Sequence, residues 1–288
     1  MQQIVILTAT YNHPQELLRL FESLKNQTDK DFRWIIVNDG SEEETEKVLK
    51  LIGENEKLNT QIINKTNGGK SSSINKGLDN IDEDVEFVLI VDDDERLYAE
   101  SMRIVREYVY GYRDTKCGVI HFNRKNEKGE VIAIPPIQDD FYMSYQQFKS
   151  EGRWADGYIG YFTKKLGDIR FDIFPGEKYI GPSTLIMKAC KENDLLWAKA
   201  IIGVTEYLDE GITKLGRKLR VKNPNGMIEY CELMQEGGAS FKTKIVYSIQ
   251  GYAYAYISKN KYVGNRLQKI GAIPGAILGR HWERKYII

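Results

Sequence analysis

The sequence predicts an α/β fold: a Rossmann-like, mostly parallel sheet with helices on both faces. Two observations predict it. Short apolar runs alternate with stretches of helical periodicity through the first half of the chain, and parallel neighbours need crossovers whose fixed hand lays helices over the sheet. Each run also stops abruptly at a polar cluster, and in open sheets of this kind ligands gather at the carboxyl ends of strands. The bulk composition agrees. With 288 residues, 42% of them hydrophobic and 28% charged, the chain can bury a large core. Its 41 Lys+Arg balance 41 Asp+Glu, which argues against a disordered chain and against a nucleic-acid partner.

The elements follow in order. Ile4–Leu7 is an apolar run that breaks at Thr8-Ala9-Thr10-Tyr11-Asn12-His13-Pro14, where Asn12 or His13 can cap a helix and Pro14 can take its first position. Leu17, Leu18, Phe21 and Leu24 then recur at helical spacing. Phe32–Val37 reads as the second strand and stops at Asn38-Asp39-Gly40-Ser41; Ser41 and Glu44 have the spacing of a capping box for a helix carrying Val48, Leu51 and Ile52. Ile62 and Ile63 precede Asn67-Gly68-Gly69-Lys70 and a short helix through Leu78. Phe87–Val91 is the next strand, Met102, Val105 and Val109 mark a helix, and Val119–Phe122 closes the series. Beyond about residue 125 aromatic and Gly-rich stretches loosen the pattern, so 1–125 is read as a ligand-binding α/β half, 126–230 as a second half of the same domain, and 231–288 as a helical extension.

Cys117, Cys190 and Cys231 are widely spaced and odd in number, which fits neither a disulfide framework nor a zinc cluster. No apolar run approaches the roughly 20 residues of a membrane span, and the chain enters its first apolar run without a basic leader. A cytoplasmic protein is expected.

The chemistry concentrates after the fourth strand. Val88-Leu89-Ile90-Val91 runs straight into Asp92-Asp93-Asp94-Glu95. Two like charges about 4 Å apart repel by roughly 4 kcal/mol at an effective dielectric near 20, so the cluster needs a cation, protonation or divergent side chains. A divalent metal is the simplest solution, and period-2 geometry would put Asp92 and Asp94 on one side of the strand. Few hard oxygen ligands suit Mg²⁺ or Mn²⁺ that also binds substrate phosphates. The competing reading is a solvated acidic turn that caps the next helix. Asp39 could accept from a ribose hydroxyl or a base N–H, or could belong only to a turn. Asn67, Gly68, Gly69 and Lys70 combine close backbone approach, a cation and a helix N-terminus, without the spacing of a Walker A loop.

Taken together, Thr8-Ala9-Thr10-Tyr11-Asn12, Val37-Asn38-Asp39-Gly40-Ser41, Asn67-Gly68-Gly69 with Asn75-Lys76-Gly77, and Asp92-Asp93-Asp94 resemble the nucleotide-sugar half of family-2 glycosyltransferases, which have the GT-A fold. The resemblance covers nearly the first 125 residues. It implies a donor site formed by Thr8, Thr10, Tyr11, Asn12, Asn67, Gly69 and Asp93, with Asp39 on the nucleoside, Lys70 near the diphosphate, Asp92 on ribose or metal, and Asp94 on the metal. It further implies a UDP-sugar donor, a divalent cation, Mn²⁺ or Mg²⁺, and single displacement with inversion.

The later segments resemble a bacterial subgroup of that family associated with surface polysaccharide assembly. They are Phe174-Pro175-Gly176-Glu177-Lys178-Tyr179-Ile180, then Glu206 to Thr213, then Asn223-Pro224. A carboxylate near the first of these deprotonates the acceptor hydroxyl in many relatives, which makes Glu177 the first choice for general base. The sequence departs from the family pattern at Lys178 and at Gly181-Pro182-Ser183, so Asp156 competes for that role, and Trp154 is a candidate to stack on an acceptor sugar. By the same resemblance Thr213, Lys214 and Arg217 belong to a loop that folds over the diphosphate; a solvated basic face is the alternative. The tail is apolar from Gly271 to Leu278 and then basic at Arg280, Arg284 and Lys285. It either rests on an anionic membrane surface, near a lipid-linked acceptor at the inner face, or packs on a partner subunit or the protein body. Other activities on such a sheet are a nucleotidyltransferase and a catalytically silent sugar-nucleotide or glycan-binding protein.

Overall fold

The computed structural model describes residues 3–205, 216–260 and 268–287. They form two compact units. The first is assembled from Met1–Tyr142, Trp154–Asp168 and Glu192–Tyr207, the second from Met143–Arg153, Ile169–Lys191 and Leu208–Ile288. The expected division at residue 125 therefore falls inside a strand, Cys117–Asn126, of the first unit.

The first unit begins with the expected alternation: β1 Ile4–Thr10, α1 Pro14–Lys25, β2 Arg33–Asn38, α2 Glu43–Gly53, β3 Asn59–Asn64, α3 Lys70–Leu78 and β4 Phe87–Ile90. β5 Glu95–Leu97, α4 Ser101–Tyr112 and β6 Cys117–Asn126 follow. Three short strands, β7 Ala133–Ile134, β8 Phe141–Tyr142 and β9 Trp154–Ala155, lead to β10 Gly157–Phe162; between them α5 Tyr145–Ser150 belongs to the second unit. After β10 come α6 Thr163–Leu166 and, once α7 Ser183–Ala189 has been added to the second unit, β11 Asp194–Thr205.

Among the described residues nine strands make one sheet in the order β3-β2-β1-β4-β10-β6-β11-β5, with β8 on β11. β3, β2, β1 and β4 are parallel, so their carboxyl ends share one edge. The sheet departs from the sequence expectation at β10, which inserts antiparallel between β4 and β6. Side chains alternate across the sheet. Ile4, Ile6, Trp34, Ile36, Phe87 and Leu89 share one core with Leu17, Leu20, Phe21 and Leu24 of α1 and Met102, Val105 and Val109 of α4. On the opposite face Leu7 of β1 meets Gly77 of α3. Helices thus cover both faces. Two details differ from the periodicity reading: Leu20, not Leu18, is buried in α1, and Leu51 of α2 is 53% exposed while Leu49 takes the core position.

The second unit is helical: α5, α7, α8 Gly216–Lys222, α9 Pro224–Leu233, α10 Phe241–Ser258, a 3₁₀ turn Gln268–Gly271 and α11 Ala272–Tyr286. Val221, Met227, Cys231, Ala253, Tyr254 and Trp282 form one of its cores.

Candidate active site

The polar segments at the carboxyl ends of β1 to β4 are tied to one another by specific hydrogen bonds. At the end of β1, Thr8 is fully buried and its hydroxyl accepts from the Trp34 indole at 3.0 Å, so its side chain serves the core. Thr10 is 2% exposed, and its hydroxyl is buried without a hydrogen-bond partner among the described residues. Tyr11 is 47% exposed. Asn12 takes positive φ, its N–H donates to Ser41 Oγ at 3.1 Å, and its Oδ1 accepts from Glu42 N at 2.7 Å. The capping box expected of Ser41 and Glu44 does not form: α2 has Glu42 at its cap with no side-chain cap bond, because the Ser41 hydroxyl is engaged by Asn12 instead.

Asp39 ends β2 and is 3% exposed. One carboxylate oxygen accepts from Lys65 Nζ at 2.5 Å and Gly68 N at 3.0 Å; the other accepts from Gly69 N at 2.8 Å and Asn67 Nδ2 at 3.2 Å. Burial works against the charge, but Lys65 and the two amides hold the carboxyl below its usual range. Gly40 makes the turn possible. Its φ is +76°, and a Cβ there would stand 2.9 Å from Asn67 N. Asp39 thus anchors the loop that delivers Asn67, Gly69 and Lys70. Lys70, first residue of α3, reaches back to Asp92 Oδ2 at 2.5 Å.

The strand does not continue through the acidic run, since β4 ends at Ile90 and Asp93–Asp94 form a turn, but burial alternates along it. Asp93 and Glu95 are buried, Asp92 and Asp94 half-buried. Each buried acid has an internal partner. Both Asp93 oxygens lie 3.2 Å from His13 Nδ1, and this bond chiefly raises the imidazole pKa. Glu95 pairs with Arg124 and accepts from Asp92 N at 3.0 Å. Asp92 is held ionised by Lys70 against the cost of its burial. Asp94 differs from the other three. Among the described residues no hydrogen bond or ion pair closes on its carboxylate, and burial, with Asp92 and Asp93 adding repulsion, pushes it up to about 6.

That donor set fits a hard divalent cation. Asp94 has no hydrogen-bond or ion-pair partner among the described residues and is close enough to Asp92 to be repelled by it, while no third His, Cys, Asp or Glu completes a protein cage there. The arrangement suits an ion whose other ligands are phosphate oxygens and water.

The remaining candidates take other positions. Asp156, between β9 and β10, pairs with Arg124, whose guanidinium therefore lies between Glu95 and Asp156. Trp154 on β9 is 42% exposed. Glu177 lies in the second unit, where Oε1 accepts from Asn225 N and Nδ2, each at 2.8 Å, and Oε2 from Gly226 N at 2.9 Å. It caps the first turn of α9. Arg217 stacks on the Trp282 ring at 4.2 Å and donates to Tyr254 Oη at 3.0 Å. Thr213 and Lys214 lie outside the described residues. Sequence reasoning passed over Lys65 and Arg124, and read His13 only as a helix cap, a position it takes at α1 without a side-chain cap bond. Only Arg124 carried a local signal, a cation closing the apolar Val119–Phe122 run.

The mixed sheet, parallel through β3, β2, β1 and β4 and covered by helices on both faces, is that of the GT-A class. The chain belongs to glycosyltransferase family 2, whose family model matches residues 5–169. A GalNAc(5)-diNAcBac-PP-undecaprenol beta-1,3-glucosyltransferase of Campylobacter jejuni is 21% identical over 269 residues, covering 90% of this chain and 85% of that protein. An uncharacterized glycosyltransferase of Methanocaldococcus jannaschii is 32% identical over 113 residues, 38% of each chain, so the match spans well under half of that relative. Among solved structures, S. aureus TarS 1-349 in complex with UDP-GlcNAc has a TM-score of 0.65 at 14% identity, covering 98% of this chain and 92% of that one. The mannosyltransferase PcManGT from Pyrobaculum calidifontis, in complex with GDP-Man and Mn2+, has a TM-score of 0.60 at 11% identity, covering 99% and 87%.

Proposed function

We propose that the chain is a metal-dependent, inverting glycosyltransferase. It moves a hexosyl or N-acetylhexosaminyl group from a nucleotide sugar, a UDP-sugar in the first instance, to a hydroxyl of a bacterial surface glycan or its lipid-linked precursor at the cytoplasmic face of the membrane. One observation carries the reading: the unpartnered Asp94 carboxylate beside the Asp92–Lys70 ion pair, at the carboxyl end of β4. The donor complexes of the structural neighbours and the undecaprenol-linked name of the Campylobacter relative support the substrate classes.

In this reading the orphaned Thr10 hydroxyl and Asp39 receive the nucleoside, and Asp39 also keeps the Asn67–Gly69 loop in place for the diphosphate. Lys70 turns from Asp92 to the phosphate oxygens. Asp92 and Asp94 would hold a divalent cation, which when bound would supply stabilisation of the charge on a departing nucleoside diphosphate. The hydroxyl proton goes to a carboxylate. Asp156 is the better supported base: it stands in the same unit as the acidic run and is connected to it through Arg124 and Glu95, whereas both Glu177 oxygens are committed to α9. Trp154, two residues before Asp156, offers an exposed ring to an acceptor sugar.

The test is calorimetric binding of UDP and UDP-sugars, followed by donor hydrolysis with and without Mn²⁺. Mn²⁺-dependent release of UDP that disappears in Asp94→Ala is the expected result. Binding without any turnover, with acceptor glycans supplied, would instead identify a silent sugar-nucleotide binder, and pyrophosphate release from a nucleoside triphosphate would identify a nucleotidyltransferase.

A further inference from the structure

At the described end of the second unit α11 packs along α10, running in the same direction: Gly271 lies against Ser248 and Gly279 against Ala253 and Tyr256. Gly271, Gly275 and Gly279 recur every fourth residue on the edge of α11 that faces α10. A Cβ on Gly275 would stand 2.6 Å from the Ile249 carbonyl oxygen, so this edge is committed to its neighbour. Trp282 is buried on the same side.

The opposite edge is uncovered. Ile270, Ile273 and Ile277 are 57%, 76% and 68% exposed. At 3.6 residues per turn Ile273, Ile277, Arg280 and Arg284 fall on one line along the helix. Two shallow apolar grooves flank it, one bordered by Tyr256 and Lys259, the other by Ile249, Pro274 and His281. Neither arginine makes an ion pair among the described residues. The charge is one-sided as well. Cations and anions balance over the whole chain, yet α10 has no acid and α11 only Glu283, against Lys242 and Lys244 in the first and Arg280, Arg284 and Lys285 in the second.

Area and charge select the occupant. Three isoleucines expose on the order of a few hundred Å², short of the roughly 800 Å² per partner that a stable dimer buries. A second copy would also bring the same cations against these. Exposed isoleucines in line with two arginines match the boundary between acyl chains and anionic headgroups. No described helix is long and apolar enough to cross a membrane, so contact would be made lying on the surface.

We propose that the outer edge of α11 docks the protein on an anionic lipid surface, with Ile273 and Ile277 entering the headgroup–acyl boundary and Arg280 and Arg284 meeting lipid phosphates. This deepens the membrane placement in the transferase reading and uses none of the donor-site residues. The test is flotation of the full chain with vesicles of phosphatidylcholine alone and of phosphatidylcholine mixed with phosphatidylglycerol. Binding is expected only to the anionic vesicles, weakened about tenfold or more by Ile273→Ser with Ile277→Ser. Arg280→Gln with Arg284→Gln should weaken binding at low salt and flatten its salt dependence. These side chains are exposed, so thermal unfolding and UDP binding should stay as in the parent. No vesicle binding, equal binding to both vesicle types, equal binding by the variants, or a dimer that these substitutions dissolve would each overturn the proposal. None of these outcomes touches donor turnover, so the transferase reading stands or falls separately.

Discussion

Lys65 Nζ lies 2.5 Å from Asp39 Oδ1, so the carboxylate that ends β2 is held by the loop that follows β3. The same ammonium also donates to the Thr66 carbonyl at 2.7 Å and to Ser72 Oγ at 3.0 Å. Lys65→Met keeps the stem and removes the charge. It should cost roughly 1–3 kcal/mol of stability, because buried acceptors lose a charged donor. UDP affinity by calorimetry should fall about tenfold as the Asn67–Gly69 loop loosens, and an unchanged affinity would detach this loop from nucleotide binding.

Asp94 should separate stability from function. Burial and the repulsion of Asp92 and Asp93 outweigh the attraction of Lys70 and Arg124, and no hydrogen bond or ion pair closes on its carboxylate among the described residues. Asp94→Asn should therefore leave the melting temperature unchanged or raise it slightly, while Mn²⁺-dependent transfer is lost. A marked fall in melting temperature would mean that a hidden structural partner exists.

Arg124 gives the opposite result. Its side chain is only 10% exposed and balances Glu95 and Asp156 at once. Removing the shared partner leaves two carboxylates uncompensated, one of them 4% exposed, so Arg124→Met should lose about 3–5 kcal/mol in urea unfolding.

The two candidate bases are distinguished by paired substitutions. Glu177→Gln turns one acceptor oxygen into a donor facing the first turn of α9, and should cost about 1–2 kcal/mol of stability with kcat within a few-fold. Asp156→Asn should lower kcat by roughly 10²–10⁴, the range of a general base. The reverse pattern in steady-state kinetics would return the role to Glu177.

Glu229 makes stability depend on pH. Burial pushes its carboxyl up to about 7; Lys188 pulls it down and Asp172 adds to the rise. The raised folded-state value means that its neutral form is favoured on folding. Its contribution is fully present below the unfolded pKa near 4.5 and is lost as pH climbs through about 7. The loss should total roughly 2–4 kcal/mol. Thermal melts between about pH 5 and 8 should fall along that window, and Glu229→Gln should flatten the curve.

The strand–helix alternation through β4 was legible because each helix carried an apolar stripe and each strand ended in a polar turn. The expectation that Asp92 and Asp94 share one side of a continuing strand lost its basis, because β4 ends at Ile90 and Asp93–Asp94 turn. β10 was not legible: nothing local distinguishes a strand that slips antiparallel between β4 and β6 from one added at an edge. Ser41 misled because its hydroxyl had a tertiary suitor, the Asn12 N–H, that local capping rules do not see. Lys65, Arg124 and Glu177 owe their places to partners 26, 32 and 48 residues away, so their roles emerge only when the chain has folded.

The interleaving of the two units bears on how the molecule is made. Asp194–Thr205 supplies a strand next to β6, so the first unit stays open on the ribosome until about residue 205 has emerged. By then α5 and α7, destined for the other unit, have already been synthesised and must wait for α9 and α10. A fragment ending near residue 125 would lack both strands that flank β6 and expose its hydrogen-bonding edges, so the nascent protein needs protection until late in translation.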